Sequence, residues 1–279
     1  METKKYRVAD HCFEVCSETL CTAISRISGF QPFEVTDGTP AFSFEIGEEL
    51  PSEYNVQYSF TYEDILGEFG TTENGFFLKQ TPANEEPLYM WTSAQNDVVL
   101  MGGNLSLRLF RFALWVGYGL MTAAKGTIAI HSSCIVSEGR AVIFLGESGT
   151  GKSTHASLWL QHVEKSELIN DDNPAIRIQD DIAYAYGTPW SGKTPCYKNI
   201  GLPIAKITRL QQAPTNNHRH LSDTEAFIAL LPSCSVIKQD TQLYGMLCDK
   251  LAWLAEHTNI AYLQCLPDKE AVILNKETF

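Results

Sequence analysis

The sequence predicts an α/β protein: a mixed sheet with packed helices and a phosphate-binding loop, preceded by a β-rich N-terminal module. Three observations lead to this class. Residues 146–153 read GESGTGKS, the complete G-x-x-x-x-G-K-S pattern of such a loop. The apolar run Arg140–Leu145 before it is suited to a buried strand, and Ala156, Trp159 and Leu160 after it recur at helical spacing. Strand, glycine loop and helix thus follow one another in the order that the motif requires.

The first 103 residues have the composition of an antiparallel β-rich module. Short runs alternate apolar with polar residues or are rich in aromatics, and turn signals such as Asp37-Gly38-Thr39-Pro40 separate them. The candidate strands are Phe42–Ile46, Val56–Phe60, Phe76–Lys79, Leu88–Trp91 and Val98–Met101. We therefore expect the module to span residues 1–103 and the domain that carries the loop to span residues 104–279.

Downstream of this boundary, strands and helices alternate around the loop. The pattern predicts strands at Thr127–Val136, Ser166–Asn170, Ala175–Ile178, Ile182–Tyr186, Ile204–Leu210 and Ile260–Leu266. It predicts helices from residue 104 to about residue 124, at Ser222–Leu231, at about Asp240–Glu256 and in a short segment after Asp268. The polar stretch Gln211–His220 is expected to be a mobile loop.

Composition limits the classes of function. The net charge of −12 argues against non-specific nucleic-acid binding, which needs a basic surface. The most apolar segment, Leu105–Met121, contains two arginines and is too short for a membrane span, and no signal peptide is visible. The eight cysteines include no C-x-x-C pair, so we expect free thiols in a cytoplasmic protein without disulfides or zinc. Neither a nucleic acid nor a membrane is expected as a partner.

The loop residues suit a nucleoside triphosphate with Mg²⁺. Glycines let backbone N–H groups point into one concavity, and the helix predicted to begin at Lys152 adds the positive end of its dipole. Lys152 can reach the β- and γ-phosphates, and the Ser153 hydroxyl can ligate Mg²⁺. The residues predicted to contact ATP are Gly146, Glu147, Ser148, Gly149, Thr150, Gly151, Lys152, Ser153 and Thr154.

Two adjacent carboxylates, Asp171 and Asp172, follow the strand that comes one helix after the loop. Mg²⁺ needs an acidic contact besides the loop serine, and an aspartate at the end of a neighbouring strand is its usual source. Adjacent residues that leave a strand point in different directions, so one carboxylate can face the metal and the other the attacking nucleophile. The alternative interpretation is a solvated acidic turn, or an Asx turn before Asn173-Pro174.

Four segments together resemble the catalytic domain of bacterial HPr kinase/phosphorylase. These segments are Ala129–Val136, Arg140–Leu145, Gly146–Thr154 and Leu168–Asp172. That family has a histidine on the strand before the loop hairpin and an Asp-Asp pair after one helix, and it shares its nucleotide-binding core with ATP-dependent phosphoenolpyruvate carboxykinases. The resemblance covers residues 127–178 well and residues 186–275 loosely. Thr154 stands where the family usually has an acidic residue, and the later glycine- and arginine-containing signature is missing, so the chain looks most like the divergent HPr-kinase-related proteins.

The resemblance implies a role for each matching residue. Lys152 and the loop amides would hold the β- and γ-phosphates, while Ser153 and Asp172 would bind Mg²⁺. The Asp171/Asp172 pair would supply the catalytic base, and His131 would lie near the phosphates. The implied acceptor is the hydroxyl of a serine in a protein, a peptide or a small molecule, and a homo-oligomer is possible because related kinases are oligomeric. For His131 the alternative is a hydrogen-bonded strand histidine.

The segment Tyr186–Lys193 carries further groups that suit a phosphoryl-transfer site. Lys193 could stabilise the transferring phosphoryl group or hold an anionic acceptor, and Trp190 could stack on an acceptor or a base. The alternative is a tight turn anchored by a buried tryptophan. Arg177 and Arg209 are other candidate anion contacts, although no spacing supports either.

These features together predict an ATP-dependent kinase. An acceptor hydroxyl would lose its proton to Asp171 or Asp172, and His131 or Lys193 would help to neutralise charge during transfer. The alternative is a nucleotide-binding ATPase or regulatory switch that phosphorylates no acceptor. A kinase predicts acceptor-dependent turnover, whereas a switch predicts slow basal hydrolysis that a partner stimulates.

Overall fold

Two mixed β-sheets, each with its own helices, make up the fold. The structure is a computed structural model, and it describes residues 2–73, 75–93, 97–192, 194–238 and 240–278. Contacts within the chain divide it into two compact units, Met1–Thr122 and Ala123–Phe279. The α/β class expected from the sequence is therefore present. The helix that follows residue 103 is grouped almost entirely with the first unit, and a domain boundary at residue 103 stays a prediction.

The first unit contains a nine-stranded sheet, as counted over its described residues. Its strands are β1 (Thr3–Val8), β2 (His11–Cys16), β3 (Glu34–Val35), β4 (Ser43–Ile46), β5 (Asn55–Tyr62), β6 (Ile65–Thr72), β7 (Gly75–Pro82), β8 (Leu88–Thr92) and β9 (Val98–Gly103). They pair in the order β3-β1-β2-β4-β9-β8-β7-β6-β5, and β4 is parallel to both of its neighbours while the other pairs are antiparallel. The helices are α1 (Glu18–Ser25), a 3-10 helix at Ser28–Phe33, and α2 (Leu107–Ala123).

Five strands of this sheet, β4, β5, β7, β8 and β9, confirm the runs predicted from alternation and aromatic content. The β1–β2 hairpin was not predicted, because its turn lacks the usual sequence signal. Ala9 and Asp10 form that turn with φ angles of 45° and 61°, a conformation that Asn-Gly or Asp-Gly would normally indicate. Helix α2 packs closely on the sheet at Gly117, where a Cβ atom would lie 2.8 Å from the Phe44 ring.

The second unit contains the sheet that carries the predicted loop. Its strands are β10 (Thr127–Ala129), β11 (Ser133–Ser137), β12 (Arg140–Leu145), β13 (Glu167–Asn170), β14 (Ala175–Gln179), β15 (Ile182–Tyr186), β16 (Gly201–Gln212), β17 (Asn217–His220) and β18 (Ile260–Cys265). The order is β10-β14-β15-β16-β12-β11-β13, and β18 pairs with β16 and with β17. β16 is parallel to β12 and β18, whereas β11 is antiparallel to both β12 and β13.

Two sequence-based expectations for this sheet were wrong. The single strand expected over Thr127–Val136 is interrupted between β10 and β11, because a distant segment binds the backbone there. The His131 N–H donates to the carbonyl oxygen of Ser233, and Ile130 forms an isolated bridge with Cys234. The stretch expected to be a mobile loop contains β17, which pairs antiparallel with β18 along its whole length.

Helices cover both faces of this sheet. They are α3 (Lys152–His162), α4 (Asp223–Leu230), α5 (Thr241–His257) and α6 (Lys269–Glu277). Alternate residues of β12 face opposite sides: Phe144 packs with Trp159 of α3 and Val272 of α6, whereas Leu145 packs with Leu230 of α4 and with α5. In the described part of the chain, no helix combines the length and the apolar composition needed to cross a membrane.

A fully buried lysine, Lys206 of β16, lies against the C-terminal end of α6. The Lys206 ammonium donates hydrogen bonds to the carbonyl oxygen of Asn275 (2.9 Å) and to the Thr278 hydroxyl, and it lies 2.9 Å from His218 Nε2. Asn275 Nδ2 also approaches His155 Nε2 of α3 at 3.3 Å, so this cluster joins α3, β16, β17 and α6. Burial lowers the pKa of Lys206 to about 8.

All eight cysteines are free thiols. Cys12 and Cys21 are buried in the first unit, and Cys134 and Cys196 are buried in the second. Burial is the largest cause of the raised pKa of each of these four thiols.

We expect Lys206 to make stability depend on pH. Its folded-state pKa of about 8 lies below the ordinary value of 10.5, so unfolding takes up a proton between these two pH values. Raising the pH makes that uptake less favourable, and the Lys206 contribution to the free energy of unfolding therefore increases by roughly 2–3 kcal/mol.

Denaturant unfolding of the wild type and of Lys206→Met at about pH 7.5 and about pH 10 measures this contribution. Tyrosines and thiols titrate in the same pH range, but both proteins contain them. Their contribution therefore cancels when the free energies of unfolding of the two proteins are subtracted. The wild type should gain stability relative to the variant as the pH rises. An equal stability difference at both pH values would contradict the assignment.

Candidate nucleotide site

The predicted loop lies between β12 and α3, in the order expected from the sequence. We call residues Gly146–Gly151 the glycine loop. Gly151 has a φ of 101° directly before the helix, a conformation that residues with a Cβ rarely adopt. At Gly146 a Cβ atom would lie 2.3 Å from the hydroxyl oxygen of Thr150. The backbone path of the loop therefore requires glycine at both ends.

The side chain of Lys152 folds back over the glycine loop. Its ammonium donates hydrogen bonds to the carbonyl oxygens of Gly146 (2.9 Å) and Glu147 (3.3 Å), and only 9% of the residue is exposed. Desolvation lowers the pKa of Lys152, and the charges of Asp172 and Asp171 oppose that shift. The cation thus lies at the loop, within electrostatic range of both carboxylates.

Asp171 follows β13 directly and is buried. Ser133 of the neighbouring strand β11 donates a hydrogen bond from Oγ to Asp171 Oδ1 at 2.9 Å. The pairing of Cys134 with Asn170 brings these two strand ends together. The role of Ser133 cannot be predicted from the sequence, because a serine on a buried strand gives no signal of a partner that lies 38 residues away.

The second carboxylate, Asp172, is held by two side chains. His131 Nδ1 lies 3.1 Å from Asp172 Oδ1, and Asn173 Nδ2 donates to Asp172 Oδ2 at 2.8 Å. The His131 side chain is 46% exposed and that of Asp172 is 32% exposed, so both are open to solvent. His131 lies in the break between β10 and β11 and not on a strand.

A buried amide, Asn170, fixes the turn that carries the two aspartates. Its Oδ1 accepts hydrogen bonds from the N–H groups of Asp172 and Asn173, both at 2.9 Å. Its Nδ2 donates to Thr188 Oγ1 (3.1 Å) and to the carbonyl oxygen of Trp190 (3.3 Å). An Asx turn is therefore present, and it orients the aspartates against the segment that follows β15.

That segment touches the aspartate turn directly. A Cβ atom at Gly192 would lie 3.1 Å from Asp172 Cβ and 3.2 Å from the carbonyl oxygen of Asp171. Trp190 is only 4% exposed, which favours a turn anchored by a buried tryptophan over a stacking surface. Lys193 follows Gly192 and lies outside the described residues.

Ser153 and Thr154 lie exposed in the first turn of α3. Among the described residues, no hydrogen bond joins Ser153 to either aspartate, and no group of three or more His, Cys, Asp or Glu side chains could hold a metal ion. A cation held by Ser153 and Asp172 would need the oxygen atoms of a bound phosphate and of water as further ligands. The structure thus places His131 against Asp172 and Lys152 within electrostatic range of both carboxylates, and it leaves Ser153 and Thr154 open to solvent.

The chain matches no protein-family model and no curated protein. Among solved structures 49 chains match, and one of them is the HPr(Ser) kinase/phosphatase from Coxiella burnetii. The two sequences are 10% identical, the match covers 54% of this chain and 87% of that chain, and the TM-score is 0.31. This weak structural similarity establishes neither the family nor the activity of the chain.

Proposed function

We propose that the second unit binds Mg·ATP at the glycine loop and transfers the terminal phosphoryl group to a hydroxyl acceptor. One observation supports this most directly. The buried ammonium of Lys152 is bonded to the glycine loop, and its pKa responds to the charges of Asp171 and Asp172. A cation beside a glycine-rich loop and within electrostatic range of two carboxylates would provide the groups that phosphoryl transfer needs.

The glycine loop and Lys152 would hold the β- and γ-phosphates. The N–H groups at the start of α3 point toward the loop, as at other helix N-termini that bind anions. The Lys152 ammonium now donates to two neutral carbonyl oxygens, and it would exchange them for charged phosphate oxygens that accept stronger hydrogen bonds. Because burial alone disfavours the charged lysine, a bound anion would stabilise its charged form.

Ser153 and Asp172 are the proposed Mg²⁺ ligands, since hydroxyl and carboxylate oxygens suit this ion. Asp172 is already hydrogen-bonded by His131 and Asn173, an arrangement that commonly orients a ligating carboxylate. Its partial exposure leaves room for the waters that Mg²⁺ retains. When bound, the ion would neutralise part of the charge on the phosphates.

Asp171 is the proposed base. Ser133 engages one of its carboxylate oxygens, while the other accepts no hydrogen bond in the part of the chain that the structure describes. That oxygen would take the proton of the acceptor hydroxyl as the acceptor oxygen bonds to the γ-phosphorus and the bond to ADP breaks. His131 and Lys193 would help to neutralise the transferring group. The proposed acceptor is a serine hydroxyl of a protein, a peptide or a small molecule.

Lys152→Met should weaken Mg·ATP binding by more than about 10-fold and abolish ADP release. The unfolding temperature should stay the same or rise, because the variant removes a charge that burial disfavours. Calorimetric titration with Mg·ATP and a thermal melt measure the two effects. Lys269→Met is the matched control, since this lysine is exposed on α6 and should bind nucleotide like the wild type. Undiminished binding by Lys152→Met would overturn the proposed function.

Substitution of each aspartate should change turnover in a different way. Asp171→Asn should leave Mg·ATP binding near the wild-type value and lower acceptor-dependent turnover by roughly 10²–10⁴-fold, the usual size of a general-base contribution. Asp172→Asn should raise the Mg²⁺ concentration for half-maximal turnover by at least about 10-fold. Phosphate transfer from labelled ATP to a library of serine peptides and small hydroxyl compounds, followed over a Mg²⁺ series, separates the two effects.

Asp181→Asn is the control for both variants, because Asp181 lies exposed in the β14–β15 turn. Normal turnover by both site variants would show that the carboxylates were assigned wrongly. ADP release that no acceptor stimulates, but that a protein partner does, would instead favour the ATPase or regulatory switch.

A further inference from the structure

Arg209 lies directly beside the start of the glycine loop. In the parallel ladder of β12 and β16, Arg209 is the register partner of Leu145, the residue before Gly146. β12 and β16 run in the same direction, so Arg209 lies level with the carboxyl end of β12, and α/β proteins commonly bind ligands beyond the carboxyl ends of such strands. The Arg209 side chain lies on the sheet face that α4 covers, because its guanidinium bonds to the end of that helix.

The guanidinium of Arg209 is half-buried, and its hydrogen-bond partners among the described residues are neutral. Its Nη1 donates to the carbonyl oxygen of Ala229 (3.0 Å) and, more weakly, to Ser233 Oγ (3.5 Å). Over the described residues, no carboxylate pairs with Arg209, and its Nη2 and Nε donate no hydrogen bond. Burying part of a cation whose N–H groups lack acceptors costs free energy unless an anion binds to it.

Two further contacts relate Arg209 to the proposed site. Its positive charge contributes to the lowered pKa of Lys152, after the larger effect of desolvation, so the two cations lie within electrostatic range. Ser233 Oγ accepts the hydrogen bond from Arg209 Nη1. The carbonyl oxygen of Ser233 accepts the hydrogen bond from the His131 N–H at 2.7 Å. Ser233 therefore contacts both Arg209 and the histidine that lies beside Asp172.

We propose that Arg209 is a second phosphate-binding cation, which contacts the terminal phosphate of the nucleotide and so distinguishes ATP from ADP. This inference rests on the proposed function. Nη1 would keep its bond to Ala229, and the free N–H groups of Nη2 and Nε would reach the γ-phosphate oxygens, for which the planar guanidinium is suited. A purely structural Arg209, which only caps the last carbonyls of α4, would affect stability but not the choice between ATP and ADP.

Calorimetric titration of Arg209→Gln with Mg·ADP and with a Mg-bound β,γ-imido analogue of ATP tests the inference. Glutamine keeps an N–H donor for Ala229 but loses the charge. We expect binding of the ATP analogue to weaken about 10- to 100-fold and binding of ADP to stay within about 2-fold of the wild type. Arg219→Gln is the matched control, since Arg219 is paired with Glu225 at the surface and should change neither affinity. Equal losses for both nucleotides, or no loss, would overturn the inference.

A second measurement uses the wild-type protein, so its result cannot be affected by misfolding of a variant. Phenylglyoxal modification of arginines is followed by peptide mass spectrometry with no nucleotide, with ADP and with the ATP analogue. Arg209 should be protected several-fold more by the ATP analogue than by ADP, while the exposed Arg219 reacts at one rate throughout. Equal protection of Arg209 by both nucleotides would overturn the inference.

The two proposals fail in distinguishable ways. A wild-type protein that binds neither nucleotide would overturn the proposed function, and the role of Arg209 with it. A wild-type protein that binds ATP, together with an Arg209→Gln variant of unchanged nucleotide preference, would overturn the role of Arg209 alone.

Discussion

The pairing of β12 with β11 on one side and with β16 on the other is the constraint on which the second unit depends. It puts the start of the glycine loop in the interior of the sheet, with β16 on one side and β11 on the other. β13 runs in the same direction as β12, because β11 is antiparallel to both. The ends of β12 and β13 and the start of β11 therefore lie side by side, level with Arg209 of β16. This end of the sheet carries Lys152, Asp171, Arg209 and Ser133. A change in the β12–β16 pairing would move Arg209 away from the other three, which the β11–β12 and β11–β13 pairings hold together.

The two aspartates are adjacent in sequence, but the fold gives them different environments. Asp171 is buried with one hydroxyl donor, whereas Asp172 is partly exposed between an imidazole and an amide. Asn170 holds the turn that carries both, because its side chain binds the backbone N–H groups of Asp172 and Asn173 and the carbonyl oxygen of Trp190. Like chemical groups can take unlike roles when burial and donors differ in this way.

The sequence predicted those parts of the site that depend on neighbouring residues. The glycine loop was predictable because the φ angle of Gly151 and the packing at Gly146 arise within the loop itself. The break at His131 was not, since it depends on Ser233, about a hundred residues further along the chain. Ser133 was missed for the same reason. The strand β17 was mistaken for a loop because its polar sequence has no buried face, and its pairing with β18 supplies the order instead.

The buried thiols offer a way to observe the two units separately. A buried cysteine reacts with an alkylating reagent only after the surrounding structure opens, because the reagent must reach the thiolate. Cys21 therefore reports opening of the first unit, and Cys134 reports opening of the second. Because mass spectrometry reads each cysteine individually, one labelling time course gives a labelling rate for each of the two cysteines. Equal rates indicate that the units open together, and unequal rates indicate that one unit opens before the other.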